Sequence, residues 1–326
     1  MHNILITGGA GFIGSHLAET LIARGDRVTV VDDESTGRAD NVAHLLGHAN
    51  FTYQRGTLAD RELTRRLVSD VDEVYHLAAA VGVQLIASSP IHTIEANVYL
   101  TEILLAELRR RQEAGAKLKL FLASTSEVYG KNPKPQWTEE DDLVFGPTTR
   151  ARWSYGVSKA IDEFLALAYF RQHGLPVVVA RFFNVVGPRQ TGKYGMVLPR
   201  LVDAALAGGP LIVHDDGRQT RCFAHVRDVV QMVLKLMNEP RAVGEVFNLG
   251  SDQPVSIIEL AERVRAIANP SAAIAFQSYA EAFPPDFEDV RARVPSLAKL
   301  RGVLGPLPVT PLEEIIREVV ASKRAR

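Results

Sequence analysis

Several protein classes are excluded by what this chain lacks. One cysteine, Cys222, in 326 residues rules out an internal disulfide and any metal site built from several cysteines of one chain. No apolar run approaches the roughly 18–20 residues that a membrane-crossing helix needs. The apolar start, Ile4-Leu5-Ile6, meets glycine within a few residues, too soon for a signal-peptide core. A cytoplasmic protein, away from membranes, is the expectation. Neither sign of charge dominates: 37 Lys+Arg against 38 Asp+Glu leave −1 at pH 7. That balance argues against nucleic acid or an anionic membrane surface as partner. Low complexity is absent too, and 46% hydrophobic with 23% charged residues is the composition of an ordinary folded chain.

What is present is an alternation of short β-branched runs with longer helical patterns, the mark of βαβ units and a parallel sheet. The pattern predicts strands at Asn3–Thr7, Arg27–Asp32, Phe51–Arg55, Glu73–Leu77, Leu118–Ser124 and Val177–Arg181. Helices are expected at about 13–24, 60–68, 90–114 and 156–173. Val177-Val178-Val179-Ala180 is apolar throughout, as a strand covered on both faces must be. The fold class is therefore α/β, a Rossmann-type doubly wound parallel sheet. After Arg181 the texture becomes shorter and richer in loops, with Gly208-Gly209-Pro210, Asp215-Asp216-Gly217 and Pro284-Pro285. Helices are expected there at about 196–207, 226–238, 256–268 and 311–322. Residues 1–181 read as a dinucleotide-binding domain to which some later segments return. Residues 182–326 read as a smaller, interleaved α/β substrate domain over the strand ends.

Thr7-Gly8-Gly9-Ala10-Gly11-Phe12-Ile13-Gly14 follows the first strand and opens a helix. Glycines at 8, 11 and 14 permit a tight turn, close approach to a pyrophosphate, and packing of helix on sheet. Asp32 ends the second strand, where a carboxylate accepts from an adenine ribose and repels a 2′-phosphate, which favours NAD over NADP. Arg38 nearby pulls slightly the other way. Tyr155 and Lys159, at i and i+4, share one helix face. An ammonium beside a phenol stabilises the phenolate, so Tyr155 is expected to act as a base near neutral pH. Y-x-x-x-K is common on ordinary helices. Its weight comes from the glycine loop and from Ser124-Thr125-Ser126 at a strand end, where a hydroxyl can share the substrate oxygen with Tyr155.

With these residues, the chain resembles the extended short-chain dehydrogenase/reductase family of nucleotide-sugar epimerases, dehydratases and decarboxylases. The matching segments are the glycine loop, His76-Leu77-Ala78-Ala79-Ala80, Asn97, Ser124–Gly130, Tyr155–Lys159, Arg181–Pro188 and Phe247–Ser251. The resemblance implies a homodimer joined through a four-helix bundle, and a UDP-sugar substrate. It implies a cofactor site of Gly8, Gly11, Phe12, Ile13, Gly14 and Asp32. To these it adds Thr57, Leu58, Leu77, Ala78, Ala79, Asn97 and Ser124, with Tyr155 and Lys159 at the nicotinamide end. Thr57 stands where relatives carry an aspartate. Asn184, Arg189, Val213, Arg221 and Arg293 are the implied substrate contacts. Arg221 would clamp the diphosphate, and the strand Leu211-Ile212-Val213-His214 would frame the base through backbone groups, with His214 in place of the usual tyrosine.

Thr125-Ser126-Glu127 resembles the pattern of UDP-glucuronate decarboxylases and of some 4,6-dehydratases. A carboxylate beside the sugar C5 could orient the ring or handle a proton. Arg152-Trp153-Ser154-Tyr155 and Phe287–Ser296 also resemble decarboxylases, with Arg293 acting at the sugar. Gly187-Pro188-Arg189-Gln190 occurs in 4-epimerases as well, where the arginine meets a substrate carboxylate. The first expectation is an NAD-retaining UDP-glucuronate decarboxylase with Tyr155, Lys159, Thr125, Glu127 and Arg293 as catalytic residues. The alternatives are a UDP-sugar 4-epimerase, a 4,6-dehydratase, or a silent NAD-binding regulator. The scattered histidines, His44 and His48 among them, are not read as a metal site.

Overall fold

The computed structural model describes residues 1–80, 89–192, 196–283 and 288–325. Pro284-Pro285, Phe287 and the terminal Arg326 lie outside the described residues. The six apolar runs form strands within one or two residues of their expected ends. They are β1 (Asn3–Thr7), β2 (Arg27–Asp32), β3 (Phe51–Arg55), β4 (Glu73–His76), β5 (Lys119–Thr125) and β6 (Val177–Phe182). Beyond β6 the chain makes short strands β7 (Val185–Val186), β8 (Leu211–His214), β9 (Thr220–Cys222) and β10 (Ala224–His225). It then returns to the sheet as β11 (Val246–Leu249), and goes on through β12 (Pro254–Ser256), β13 (Ile274–Gln277) and β14 (Ala292–Arg293).

The main sheet has the order β3-β2-β1-β4-β5-β6-β11. All its pairings are parallel. Successive strands step outward from β1 one way to β3, and the other way from β4 to β11. A crevice therefore opens between β1 and β4 at their carboxyl ends, where a ligand enters such sheets. The glycine loop leaves β1 at that point.

The helix expected over 90–114 forms in three parts: Pro90–Ile94, a π-turn at Glu95–Tyr99, and Leu100–Glu113. Widening the helix by a residue at a functional site is the usual use of such a turn. Here the buried residue within it is Asn97.

The seventh strand, β11, has no counterpart among the six expected ones. It pairs with β6 and covers what would otherwise be a bare edge. The helix Val226–Asn238 also returns, packing Met232 and Val233 into the same core as Leu17 and Leu21 of the helix Phe12–Ala23. A second core, around Leu201, Leu211, Val213, Leu260, Val264 and Ile316, holds the remaining later elements together over the crevice. Among the described residues no helix is long and apolar enough to cross a membrane.

Phe247, at the middle of β11, is fully buried. Phe247→Ala is expected to cost about 3–5 kcal/mol of folding free energy, read from chemical unfolding.

Candidate active site

The loop after β1 is built for close approach. Gly8 has φ +67°, and a Cβ there would stand 2.8 Å from the Ala78 backbone; one at Gly14 would stand 2.4 Å from the Gly8 carbonyl oxygen. The helix Phe12–Ala23 has no acidic residue in its first turn, so its N-terminal N–H groups face the crevice with their positive potential uncancelled. Gly11, Phe12 and Ile13 line this end of the cleft. Thr57, Leu58, Leu77, Ala78 and Ala79 line it from the ends of β3 and β4. Asp32 closes it at the end of β2, accepting from the Ala10 and Glu34 amides at 3.0 and 2.8 Å. Burial pushes its carboxyl above the ordinary value. Arg38, the residue that favoured a phosphorylated ribose, is exposed and paired with Asp40 at 2.9 Å. The whole cleft measures about 1560 Å³. One small-ligand site fills about 300–1,000 Å³, so this cleft has room for two ligands end to end.

Two expected cofactor residues have other duties. Asn97 does not reach the cleft; its Oδ1 accepts from the Ala80 amide at 3.0 Å and its Nδ2 donates to Ser158 Oγ at 2.9 Å. It ties the loop after β4 to the helix that carries Tyr155. Ser124 lines the cleft, but its hydroxyl donates to Glu163, which also holds Arg181 at 2.7–3.2 Å. Beneath the loop, Thr7 Oγ1 takes the Ala78 amide at 3.2 Å and donates to His76 Nδ1 at 2.7 Å. His76 Nε2 then meets Thr101 Oγ1 at 3.1 Å, and Thr101 donates to the Asn97 carbonyl at 2.8 Å. Burial, with Lys159 beside it, pushes His76 down to about 3, so the imidazole is neutral.

Tyr155 stands in the first turn of the helix Ser154–His173 and hydrogen-bonds Thr125. Thr125 ends β5 and takes the Glu127 amide at 3.2 Å, which fixes the Ser126–Tyr129 turn. The expectation that Lys159 acidifies Tyr155 meets an opposing charge here. Lys159 Nζ donates to Asp162 Oδ2 at 2.7 Å. Tyr155 is pushed above its ordinary value by burial and by the charges of Glu127 and Asp162, only partly opposed by Thr125.

Glu127 lies between two guanidiniums. Arg152 reaches Oε2 at 2.7 Å, and Arg293 pairs with Oε1. Burial alone would raise its pKa; the two arginines outweigh burial and bring it to about 2. Between these two guanidiniums Glu127 is held as a carboxylate near neutrality, which suits the first of its two expected roles, orienting the ring, better than handling a proton. Arg221 donates to both Asp289 oxygens, at 3.0 and 3.1 Å. Burial, with Arg293 nearby, pushes that guanidinium down to about 10. Asn184 lines the cleft at φ +25°, with its amide on the Cys222 carbonyl at 3.2 Å.

Arg189 lines the cleft, with its guanidinium donating to Ser15 Oγ at 3.1 Å and paired with Glu19. Val213 does not line the cleft; its side chain is in the second core, and His214 beside it faces the ligand space instead. Arg200 donates to His214 Nε2 at 2.9 Å, and the His214 and Phe283 rings meet edge to face at 5.1 Å.

A family model described as the NAD dependent epimerase/dehydratase family matches residues 4–250. The chain belongs to this family. The family member is 40% identical over 318 residues to a UDP-N-acetyl-alpha-D-glucosaminuronate decarboxylase of Bacillus cytotoxicus, covering 97% of this chain and 96% of that one. It is 37% identical to UDP-glucuronic acid decarboxylase 1 of Xenopus tropicalis, covering 97% of this chain and 71% of the relative. Among solved structures, the UDP-glucuronic acid 4-epimerase of Bacillus cereus in complex with UDP-glucuronic acid and NAD superimposes with a TM-score of 0.87. The two are 27% identical and cover 99% and 100% of their chains. NAD is the family's cofactor, and the glycine cradle with Asp32 behind it fits that dinucleotide in this chain.

Asp162, Arg200, Gln219, Tyr279 and Asp289 were not expected from sequence. Only Asp162 carried a local signal, its i+3 spacing from Lys159. Gln219 and Tyr279 line the far end of the cleft and touch at 3.3 Å. Among the described residues no group of His, Cys, Asp and Glu is arranged to hold a metal. Cys222 is buried, which pushes its thiol up to about 12.

His76 gives the site an acid sensitivity. Its pKa is about 3 in the folded chain and near 6.5 when unfolded, so the unfolded chain binds the extra proton between those values. Stability that is complete above pH 6.5 is therefore lost by about 1.4 kcal/mol per pH unit as pH falls from there towards 3. His76→Asn is expected to lower the slope of unfolding free energy against pH by one proton in that window, measured by urea unfolding.

Proposed function

We propose that the protein decarboxylates a UDP-uronic acid, UDP-glucuronate in the first instance, by transient oxidation at C4. The observation that carries this reading is Glu127 held between Arg152 and Arg293 next to Tyr155 and Thr125. A sugar whose C4 hydroxyl sits at Tyr155 brings its C6 group towards these guanidiniums. A carboxylate can take one of them over from Glu127, in a charge-assisted and bidentate geometry. A hydroxymethyl group cannot.

In this reading Tyr155 takes the proton of the C4 hydroxyl while Thr125 holds the same oxygen. NAD, when bound, supplies the acceptance and return of a hydride at C4. With a ketone at C4, the C6 carboxylate is β to a carbonyl. Cleavage of the C5–C6 bond then releases CO₂, and the electron pair passes into an enolate whose oxygen faces Tyr155 and Thr125. A proton delivered to C5 completes the pentose. Lys159 and Asp32 would hold the two ribose ends of the cofactor, and Arg221 with Asn184 the diphosphate.

Two further features support decarboxylation over the alternatives. With a neutral C6 group in the site both guanidiniums stay on Glu127 and hold it well below the ordinary carboxylate range, which makes it a weak base for removing a C5 proton as a dehydratase requires. Arg189, the residue on which an acid-sugar epimerase would rely, is committed to Ser15 and Glu19. A second substrate, UDP-N-acetylglucosaminuronate, is favoured by the 40% identical relative. It has the same groups at C4 to C6, so the chemistry is unchanged.

The reading includes a homodimer. Ile91, Ile161 and Phe164 are 73%, 40% and 66% exposed on the neighbouring helices Pro90–Ile94 and Ser154–His173. Large apolar side chains exposed on two packed helices suit a second copy of the chain. Phe164→Glu is expected to give a 35.7 kDa monomer by light scattering where the unaltered chain gives twice that mass.

The function itself is tested by incubating the protein and NAD with UDP-glucuronate and following CO₂ release and the sugar by NMR. CO₂ with UDP-xylose or its 4-keto precursor is expected, as is no CO₂ from UDP-glucose. UDP-galacturonate formed without CO₂ would replace decarboxylation by epimerisation. Arg293→Met is expected to lower kcat/KM by a factor of about 30 or more, since it leaves Glu127 half paired and removes a seat for the substrate carboxylate.

A further inference from the structure

Asp162 has no exposed surface and lies one turn beyond Lys159 on the helix that also carries Tyr155. Its Oδ2 accepts from Lys159 Nζ at 2.7 Å. On its other side is Thr101, whose single proton goes to the Asn97 carbonyl at 2.8 Å, so Oδ1 is left without a donor. The carboxylate is sealed in, and the charge that balances it is the lysine ammonium.

The other charges around this group already have partners. Glu163, beside Asp162 on the same helix, is held by Arg181 from β6. Glu127 faces Tyr155 from the turn after β5 and is held by Arg152 and by Arg293 from β14. His76 faces Lys159 from β4 and is neutral. The helix Leu100–Glu113 brings the hydroxyl of Thr101 against Asp162. Among the described residues, Lys159, one turn from Tyr155 on the same helix, is the cation with Asp162 as its partner, and Asp162 cancels its charge at close range. The same carboxylate also opposes ionisation of Tyr155 directly.

We infer that Asp162 is a positioning residue that sets the pH at which Tyr155 can serve as a base, by holding and neutralising Lys159. The inference rests on the reading of Tyr155 as the base of the proposed reaction. It assigns a buried acid outside the cleft to the control of that reaction's pH range.

The test follows phenolate formation in the NAD-loaded protein by ultraviolet difference absorbance, subtracting a Tyr155→Phe counterpart so that the other tyrosines cancel. Asp162→Asn is expected to move the Tyr155 titration down by about one pH unit or more, giving about tenfold more phenolate at a given pH. The acid limb of kcat/KM for CO₂ release should move with it. In Asp162→Asn combined with Lys159→Met the shift should shrink, because the liberated cation is gone and only the direct effect of the lost carboxylate remains; a shift as large as in Asp162→Asn alone overturns the route through Lys159. Should Asp162→Asn not fold, Asp162→Ser, which leaves room for water, is read the same way. A Tyr155 titration that stays in place, in a variant with unchanged Tm and NAD content, overturns the inference. So does a uniform loss of kcat at all pH values with the acid limb unmoved. Full activity in Tyr155→Phe would instead overturn the base assignment, whereas the titration reads Asp162 whatever the substrate proves to be.

Discussion

The first half of the helix Ser154–His173 buries an unusual number of polar groups, and much of the site is arranged around that fact. Tyr155, Ser158, Lys159, Asp162 and Glu163 are buried beside Ala160 and Ala166, while Val157, Ile161 and Phe164 are exposed. Buried polar groups must be matched, and most of these are matched from another element. Asn97 meets Ser158, Arg181 and Ser124 meet Glu163, and Thr125 meets Tyr155. The π-turn that carries Asn97 and the polar end of β5 exist where this helix needs them.

Electrostatically the cleft is a chain of alternating charges with little to spare. Arg152, Glu127, Arg293, Asp289 and Arg221 follow one another from the base to the far end, and Tyr279 donates to Asp289 at 2.6 Å. Buried charges are tolerated only when paired, and here the pairs are internal. An anion entering the cleft would have to compete with Glu127 and Asp289 for these guanidiniums. That favours selection by charge and geometry over raw tightness.

The sheet was legible because its strands are short, apolar and β-branched, and because glycines and an acid punctuate the first two in the dinucleotide pattern. The cradle at Gly8 to Gly14 and the pair Tyr155 and Lys159 were equally plain, being local spacings. β11 was not expected, since Val246-Phe247-Asn248-Leu249 is too short a run to stand out in a loop-rich half. Partners were the least visible part. Arg293 and Glu127 are 166 residues apart, and Arg189 and Ser15 are 174 apart. No local pattern encodes such pairs; folding alone brings them together. The lysine expected to serve Tyr155 was assigned from its spacing to the tyrosine, while an acid three residues on had the better geometry.

The return of β11 to the main sheet bears on how such a protein can be altered. The later half is threaded through the earlier one: it caps β6, and its helix Val226–Asn238 fills part of the same core. Cutting the chain after residue 181 would strip β6 of its neighbour and uncover Leu17 and Leu21, leaving a sticky edge and an open core in one piece. The substrate-facing portion is consequently not a cassette to be swapped for another with a different sugar preference. New selectivity has to be written residue by residue into the cleft, at positions such as Arg200 and His214 that lie outside the main sheet.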